Sequence, residues 1–133
     1  MTRQTRLMVL ALVALFVAPP ALSPFAQSAN GVRIIAPRTV EMMRTNHVNP
    51  DPLKTMPQGT CWGMDFQIVM DAAAAGDSAP NGTYSWFGIA GTWFWIDPVD
   101  DLAFVGMVQH VNLGTTRGIH GLSRSLVYQS IMN

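Results

Sequence analysis

The sequence has little cysteine, little charge and no excess of basic residues, and each shortage excludes a class of function. Cys61 is the only cysteine among 133 residues, so the chain cannot form an internal disulfide or a metal site with two cysteine ligands. Charged residues make up 12% of the chain and the formal net charge is zero, so the basic surface that nucleic-acid binding requires is absent. Stability must come from packing.

Metal-binding patterns are also absent from the sequence. No two of the histidines His47, His110 and His120 are four residues apart, the spacing that lets two histidines of one helix bind the same metal. The aspartates of residues 97–101 lack the alternating oxygen ligands and the distal glutamate of a calcium loop. We therefore expect no metal ion and no other cofactor.

The first 28 residues have the layout of a secretory signal peptide. Arg3 and Arg6 precede a run of twelve apolar residues that begins at Leu7, and small residues follow before a predicted cut after Ser28. A membrane span needs about 20 apolar residues, so this run is too short to form one. We predict export to the periplasm or the medium, with residues 29–133 as one modest mature domain that has no stable membrane span. The alternative is a membrane anchor formed by the uncleaved segment.

The spacing of apolar residues predicts an α+β domain. Its antiparallel sheet has three to four strands, because the connections are too short for parallel crossovers. The predicted strands are residues 61–70, 83–88, 91–96 and 102–109, with loops at 71–82 and 110–118. A short helix from Pro37 to about Asn46 precedes the sheet, and a closing amphipathic helix follows it with Ile119, Leu122, Leu126, Tyr128 and Ile131 at mostly helical spacings.

The segment from Gly82 to Pro98 is unusually aromatic, since it holds three of the four tryptophans. Aromatic side chains are common in strands and contribute much of the energy of a packed core, so a sheet core is the simplest interpretation. The spaced glycines Gly88 and Gly91 are then expected at a bulge or at a close backbone approach.

The order of residues in this region carries a resemblance to a known family. The run "GTYSWFGIAGTWFWIDPVDDLAFVGMVQ" resembles the third-motif strand and following hairpin of the serine β-lactamase-like family, which includes class C β-lactamases, penicillin-binding D,D-peptidases and related serine esterases. Many esterase-like members carry Trp-Gly-Gly where penicillin-recognising members carry Lys-Thr-Gly, and here Trp86-Phe87-Gly88 takes that place. The upstream segments "NGVRIIAPRTVEMMRTNHV" and "CWGMDFQIVMD" resemble the helix and the Gly-rich strand that precede it.

The resemblance implies acyl transfer and a substrate-pocket and oxyanion wall. By family match, Trp86 lines the pocket in place of the lysine, which favours esters over β-lactam carboxylates. Gly88 permits close substrate approach, and the backbone N–H of Ile89 is one oxyanion donor. Phe87 stands where a glycine is common, so a bulky side chain there is expected to narrow the pocket.

The nucleophile motif of that family, Ser-x-x-Lys, is missing. Lys54 is the only lysine, and the residue three positions before it is Asp51. A formal Tyr-x-Ser match at Tyr128 falls in the closing helix, where the family does not keep it, so we interpret it as chance. No catalytic residue is assigned, and we expect a C-terminal portion of a serine hydrolase that is inactive alone.

The abrupt join near Ala29-Asn30 indicates a truncated or internally deleted gene product. Its expected partner is the missing N-terminal half or a second copy that pairs through an open sheet edge. The alternative function is a small exported binding module whose aromatic sheet face holds an apolar ligand or a partner chain.

Overall fold

A computed structural model describes residues 12–17, 34–48 and 56–131 of the chain, and these form one sheet with three helices. The strands are β1 (Leu12–Val17), β2 (Thr60–Trp62), β3 (Gln67–Val69), β4 (Tyr84–Gly88), β5 (Thr92–Asp97) and β6 (Leu102–Met107). The helices are α1 (Pro37–Met43), α2 (Ala72–Ala75) and α3 (Leu113–Ile131).

The sheet confirms the predicted α+β class and the antiparallel order. Its strand order is β1-β6-β5-β4-β3-β2, and every neighbouring pair is antiparallel. The strands from β2 to β6 follow one another along the chain as a meander, which short connections allow. The described sheet has six strands, so the predicted count of three to four is too low.

One additional strand comes from a hairpin where a single strand was predicted. The chain reverses between β2 and β3, where Asp65 has a left-handed φ of 64° and Gly63 donates its N–H to the Phe66 carbonyl at 2.9 Å. A Cβ at Gly63 would overlap the Met43 carbonyl oxygen, so this turn packs closely on α1. The alternating residues 61–70, which predicted one strand, therefore form two short strands and the turn between them.

The other additional strand, β1, lies inside the predicted signal segment. It pairs with β6 from Leu12 opposite Met107 to Val17 opposite Leu102. A short apolar run fits a signal peptide core and a buried strand equally well, so periodicity does not separate them. In the part of the chain that the structure describes, no helix is long and apolar enough to cross a membrane.

Two helices differ from the predicted boundaries. Helix α2 occupies the predicted loop 71–82, where the Asp71 carboxylate accepts the N–H of Ala74 at 3.0 Å and caps it. Helix α3 begins at Leu113, within the predicted loop 110–118. Two residues of its predicted apolar face, Leu122 and Leu126, are 61% and 57% exposed, so they do not contact the sheet.

The core lies mainly between α3 and one face of the sheet. Trp95 stacks on Phe104 with ring centroids 3.9 Å apart and planes at 10°, and Ile119 and Val127 of α3 pack against this cluster. A smaller cluster on the opposite face is formed by Cys61, Ile68 and Tyr84, with Phe66 and Ile96 beside them.

A buried hydrogen bond joins α3 to the end of β5. The Tyr128 hydroxyl donates to Asp97 Oδ2 at 2.6 Å, and the two residues are 2% and 0% exposed. Asp97 Oδ1 accepts the backbone N–H groups of Val99 and Asp100 at 2.8 and 3.2 Å, which fixes the β5–β6 turn. Desolvation and the carboxylate raise the pKa of Tyr128 far above its ordinary value, so this tyrosine is a structural donor.

Two glycines test the packing of the Trp93 ring on the neighbouring strand β6. A Cβ at Gly106 would overlap the indole ring of Trp93, whereas a Cβ at Gly118 in α3 meets nothing within 4 Å. We expect Gly106→Ala to lower the free energy of unfolding by about 1–3 kcal/mol through overpacking. Gly118→Ala is expected to raise it by about 0.5–1 kcal/mol, because alanine is the better helix former.

Urea unfolding of both variants beside the parent chain measures these changes. Equal effects of the two substitutions would contradict the close contact between Gly106 and Trp93.

Candidate functional site

The predicted wall lies at the C-terminal end of β4. Trp86, Phe87 and Gly88 are its last three residues, and Ile89 follows in the turn to β5. The described pairing of β3 with β4 ends at Ser85, opposite Gln67. Beyond that point, within the described residues, β3 does not cover the β4 edge, so the four predicted residues lie at an open edge of the sheet.

The two spaced glycines shape the turn between β4 and β5. Gly91 donates its N–H to the Gly88 carbonyl at 3.1 Å and has a φ of 97°, a conformation that side chains disfavour. A Cβ at Gly91 would overlap the Val108 carbonyl oxygen, and one at Gly88 would overlap Thr92 Oγ1. Both glycines are therefore required by the local packing of the hairpin, independently of any ligand.

Trp86 and Phe87 belong to opposite faces of the sheet. Trp86 pairs with Phe94, and Phe87 pairs with Trp93 on the side that α3 covers, because residues directly opposite each other share a face. The Trp86 ring, 36% exposed, turns toward the open edge and lies 5.1 Å from Phe87 and 4.5 Å from Trp62 between ring centroids. It thereby forms a rim between the two faces.

A cavity lies on each side of this rim. The cavity on the face of the sheet opposite α3, here called the uncovered face, has a volume of about 490 Å³. It is bounded by Trp86, Gly88, Thr92 and Phe94, among others. The cavity under α3 has a volume of about 510 Å³ and is bounded by both Trp86 and Phe87. Ile89 lines neither of them and is 67% exposed.

Helix α3 and the loop after α2 bring polar groups to the α3-side cavity. Arg124 Nη1 lies 2.5 Å from Asp77 Oδ2, in an ion pair with both side chains less than one-fifth exposed. The hydroxyl groups of Ser78 and Ser125 are 3.3 Å apart. Arg117 places its guanidinium 5.4 Å above the centre of the Phe87 ring.

Sequence reasoning missed this polar set. Arg117, His120 and Arg124 are spaced by three and four residues, which puts them on one face of a helix. That signal is present in the sequence, but the predicted helix began only at Ile119 and was oriented by its leucines.

The neutral imidazole ring of His120 forms part of the cavity wall. Its ring lies 4.7 Å from Trp93 and 5.6 Å from Phe87 between centroids. Burial, together with the positive charges of Arg124 and Arg117, lowers the pKa of His120 to about 4. Its Nε2 atom is buried and has no hydrogen-bond partner among the described groups, so a protonated ring would hold an unsatisfied donor.

The described residues do not assemble a catalytic nucleophile. Among them, no serine hydroxyl hydrogen-bonds a histidine ring or a lysine, and no cluster of three histidine, cysteine or acidic side chains is arranged to hold a metal ion. Tyr128, the formal Tyr-x-Ser match, is buried against Asp97. The arrangement supplies an aromatic wall, an open strand edge and a turn, and it can bind and orient a ligand.

Comparison with known proteins gives two curated relatives, and no protein-family model matches the chain. Protein Rv1367c of Mycobacterium tuberculosis strain H37Rv and the uncharacterized protein MT1414 of strain CDC 1551 are each 30% identical over an alignment of 92 residues that covers 62% of this chain. The matched part is 23% of each relative, so this chain spans less than a quarter of their length.

A solved structure adds a chemical class to the comparison. EstCE1, a hydrolase with promiscuous acyltransferase activity, superimposes with a TM-score of 0.51 and 29% sequence identity over 57% of this chain. The match covers 20% of the EstCE1 chain. The described fold is therefore similar to about one-fifth of a hydrolase.

The buried histidine predicts a pH dependence of stability. Unfolded His120 gains a proton below pH 6.5, whereas the folded ring gains one only near pH 4, so falling pH favours the unfolded state across that window. Between pH 7.5 and pH 5.0, we expect a His120→Phe variant to lose about 1 kcal/mol less stability than the parent, a figure reduced for the partial exposure of the ring. Phenylalanine preserves the stacking on Trp93.

Urea unfolding at the two pH values measures the difference between the chains. Parallel losses in parent and variant would show that His120 takes up its proton equally well in the folded state.

Proposed function

We propose that this chain carries the third-motif wall of an acyl-transfer site, of the kind found in esterase-like members of the serine β-lactamase-like family. The observation that carries the proposal is the similarity to EstCE1, at 29% identity, of a fold that presents Trp86-Phe87-Gly88 along an open strand edge. The sequence motif and the structural similarity are separate arguments, and both favour a hydrolase-type wall.

The proposed substrate position is the uncovered side of the sheet, beside Trp86. The Trp86 ring borders the cavity on that face and supplies an apolar surface without a positive charge, which favours an ester. Ile89 follows directly after the strand in an exposed turn, where its backbone N–H is proposed to donate to the oxyanion. Phe87 also lines this cavity, although its ring contacts His120 on the other face.

The nucleophile has to come from elsewhere. The sequence contains no Ser-x-x-Lys, and oxyanion stabilisation accelerates nothing without an attacking group. The two mycobacterial relatives extend far beyond the matched region, which covers 23% of each of them. We propose that a separate polypeptide segment, comparable to the part of these relatives outside the matched region, supplies the serine and lysine. We also propose that this chain alone is inactive.

Export remains a proposal that rests on the N-terminal charge and apolar pattern. Cleavage after Ser28 would remove β1 and leave β6 as an edge strand from Leu102 to Met107. An unpaired edge strand is a template for pairing with another chain, so the same event would create a site for a partner segment or a second copy.

Hydrolysis assays test whether the chain acts alone. The purified chain is mixed with a chromogenic short-chain ester and with a chromogenic cephalosporin, with EstCE1 as the positive control for the ester. We expect no turnover above buffer by this chain, because no nucleophile is paired with a base. Sustained turnover of either substrate would contradict the proposed inactivity.

A chimera tests the wall itself. Residues 82–109 replace the segment of EstCE1 that matches β4 to β6, and ester hydrolysis is expected to persist. Ile89→Pro in this chimera removes the proposed oxyanion donor, and we expect a loss of about 10²–10³ in kcat. Ile89→Ala is the matched control, because it keeps the N–H and changes only an exposed side chain.

The turn geometry makes this comparison possible. Ile89 is the second residue of the turn that Gly88 and Gly91 close, a position where proline is favoured. A folded chimera in which the proline and alanine variants retain equal activity would overturn the role of Ile89. A folded chimera without any activity would overturn the proposed wall.

A further inference from the structure

We infer that the cavity under α3 is a binding site for a small ligand with a flat aromatic body and a carboxylate. This site lies under the helix, away from the substrate position proposed on the other face, and it needs no nucleophile. The inference therefore stands or fails independently of the hydrolase proposal.

The size of the cavity suits a small molecule. Its volume of about 510 Å³ lies within the range of roughly 300–1,000 Å³ that is typical of ligand pockets. The floor is the β4 end of the sheet and the roof is the helix turn around Gly121.

The walls are aromatic on three sides. Trp62 and Trp86 lie against each other at one end, 4.5 Å apart between ring centroids, and Phe87 stacks beside Trp86 with planes at 28°. Trp93 continues the surface toward His120. Trp86 and Phe87 are only partly buried, so their rings are available to stack on a planar ligand.

The positive charge at the cavity wall favours a carboxylate as the second feature of the ligand. Arg124 is committed to the carboxylate of Asp77, and His120 is neutral at pH 7 because its pKa lies near 4. Arg117 makes no ion pair within the described part of the chain, and its guanidinium lies over Phe87 at the cavity wall. The surplus positive charge therefore lies next to an aromatic surface, where a carboxylate attached to a ring can pair with it.

The same arrangement disfavours other ligand classes. A cationic ligand would be repelled by Arg117, since the charge of Arg124 is paired with Asp77. A neutral hydrocarbon would stack on the rings but would leave Arg117 without a charged partner. The chemistry on the cavity wall thus fits an aromatic carboxylate best.

The binding test uses 2-naphthoate as the probe and 2-naphthalenemethanol as its neutral analogue. Isothermal titration of the full chain at pH 7.5 is expected to show that the acid binds about two- to fivefold more tightly than the alcohol, the value of one exposed ion pair. Arg117→Gln is expected to weaken naphthoate binding about two- to fivefold and to leave alcohol binding unchanged. Arg38→Gln, a surface arginine of α1 outside the cavity, is the charge-matched control.

Substitutions of two glycines in α3 test where the probe binds. Gly121 lines the cavity and Gly118 does not, and a Cβ at either position meets nothing within 4 Å. We expect Gly121→Leu to fill the cavity and abolish binding of both probes, while Gly118→Leu binds as the parent does. Both variants replace a glycine of the same helix, so an effect on folding alone would appear in both.

Three results would overturn the inference. The first is no binding of either probe, and the second is equal affinity for the acid and the alcohol. The third is binding that Gly121→Leu leaves intact, since the probe would then occupy another apolar surface.

Discussion

The hydrogen bond from Tyr128 to Asp97 is the constraint on which the arrangement of α3 and the sheet depends. It joins a helix residue to a strand residue 31 positions earlier, and both groups are shielded from water. A buried carboxylate is costly unless it is hydrogen-bonded, and Asp97 accepts from Tyr128 on one oxygen and from two turn N–H groups on the other. One side chain thus ends β5, shapes the turn to β6 and fixes the helix.

A second attachment, between residues 47 positions apart in sequence, holds the middle of α3. The Arg124–Asp77 ion pair and the adjacent contact between Ser78 and Ser125 tie the helix to the loop after α2. Ile119 and Val127 of the helix pack against the cluster that contains Trp93 and Trp95, and the cavity lies beside the helix residues from Arg117 to Ser125. The aromatic residues that looked like a uniform core in the sequence therefore serve two surfaces: a packed centre and a ligand-accessible edge.

The sequence predicted the central hairpins well and the periphery poorly. The pattern of residues 83–109 correctly predicted β4 to β6, because these strands are rich in the apolar and aromatic residues that favour strands. The prediction from sequence pattern failed at Asp65, because this residue has a left-handed conformation and divides an alternating run into two strands. It also failed at β1, because the apolar run there has no periodicity that would indicate a strand. The predicted apolar face of α3 was right for Ile119 and Tyr128, which pack on the sheet side, and wrong for Leu122 and Leu126, which are exposed. The strand that carries Trp86 could be predicted, but the cavity could not, since it depends on partners distant in sequence.

Unfolding of a Tyr128→Phe variant tests the central constraint most directly. The substitution removes one hydroxyl and leaves Asp97 Oδ2 buried without its donor. We expect the free energy of unfolding to fall by about 2 kcal/mol, within the range for hydrogen bonds to charged groups. Ser130→Ala, an exposed hydroxyl of the same helix that bonds only to the Val127 carbonyl, is the control and is expected to change it by less than about 0.5 kcal/mol. A Tyr128→Phe variant as stable as the control would show that the helix is held on the sheet by apolar packing alone.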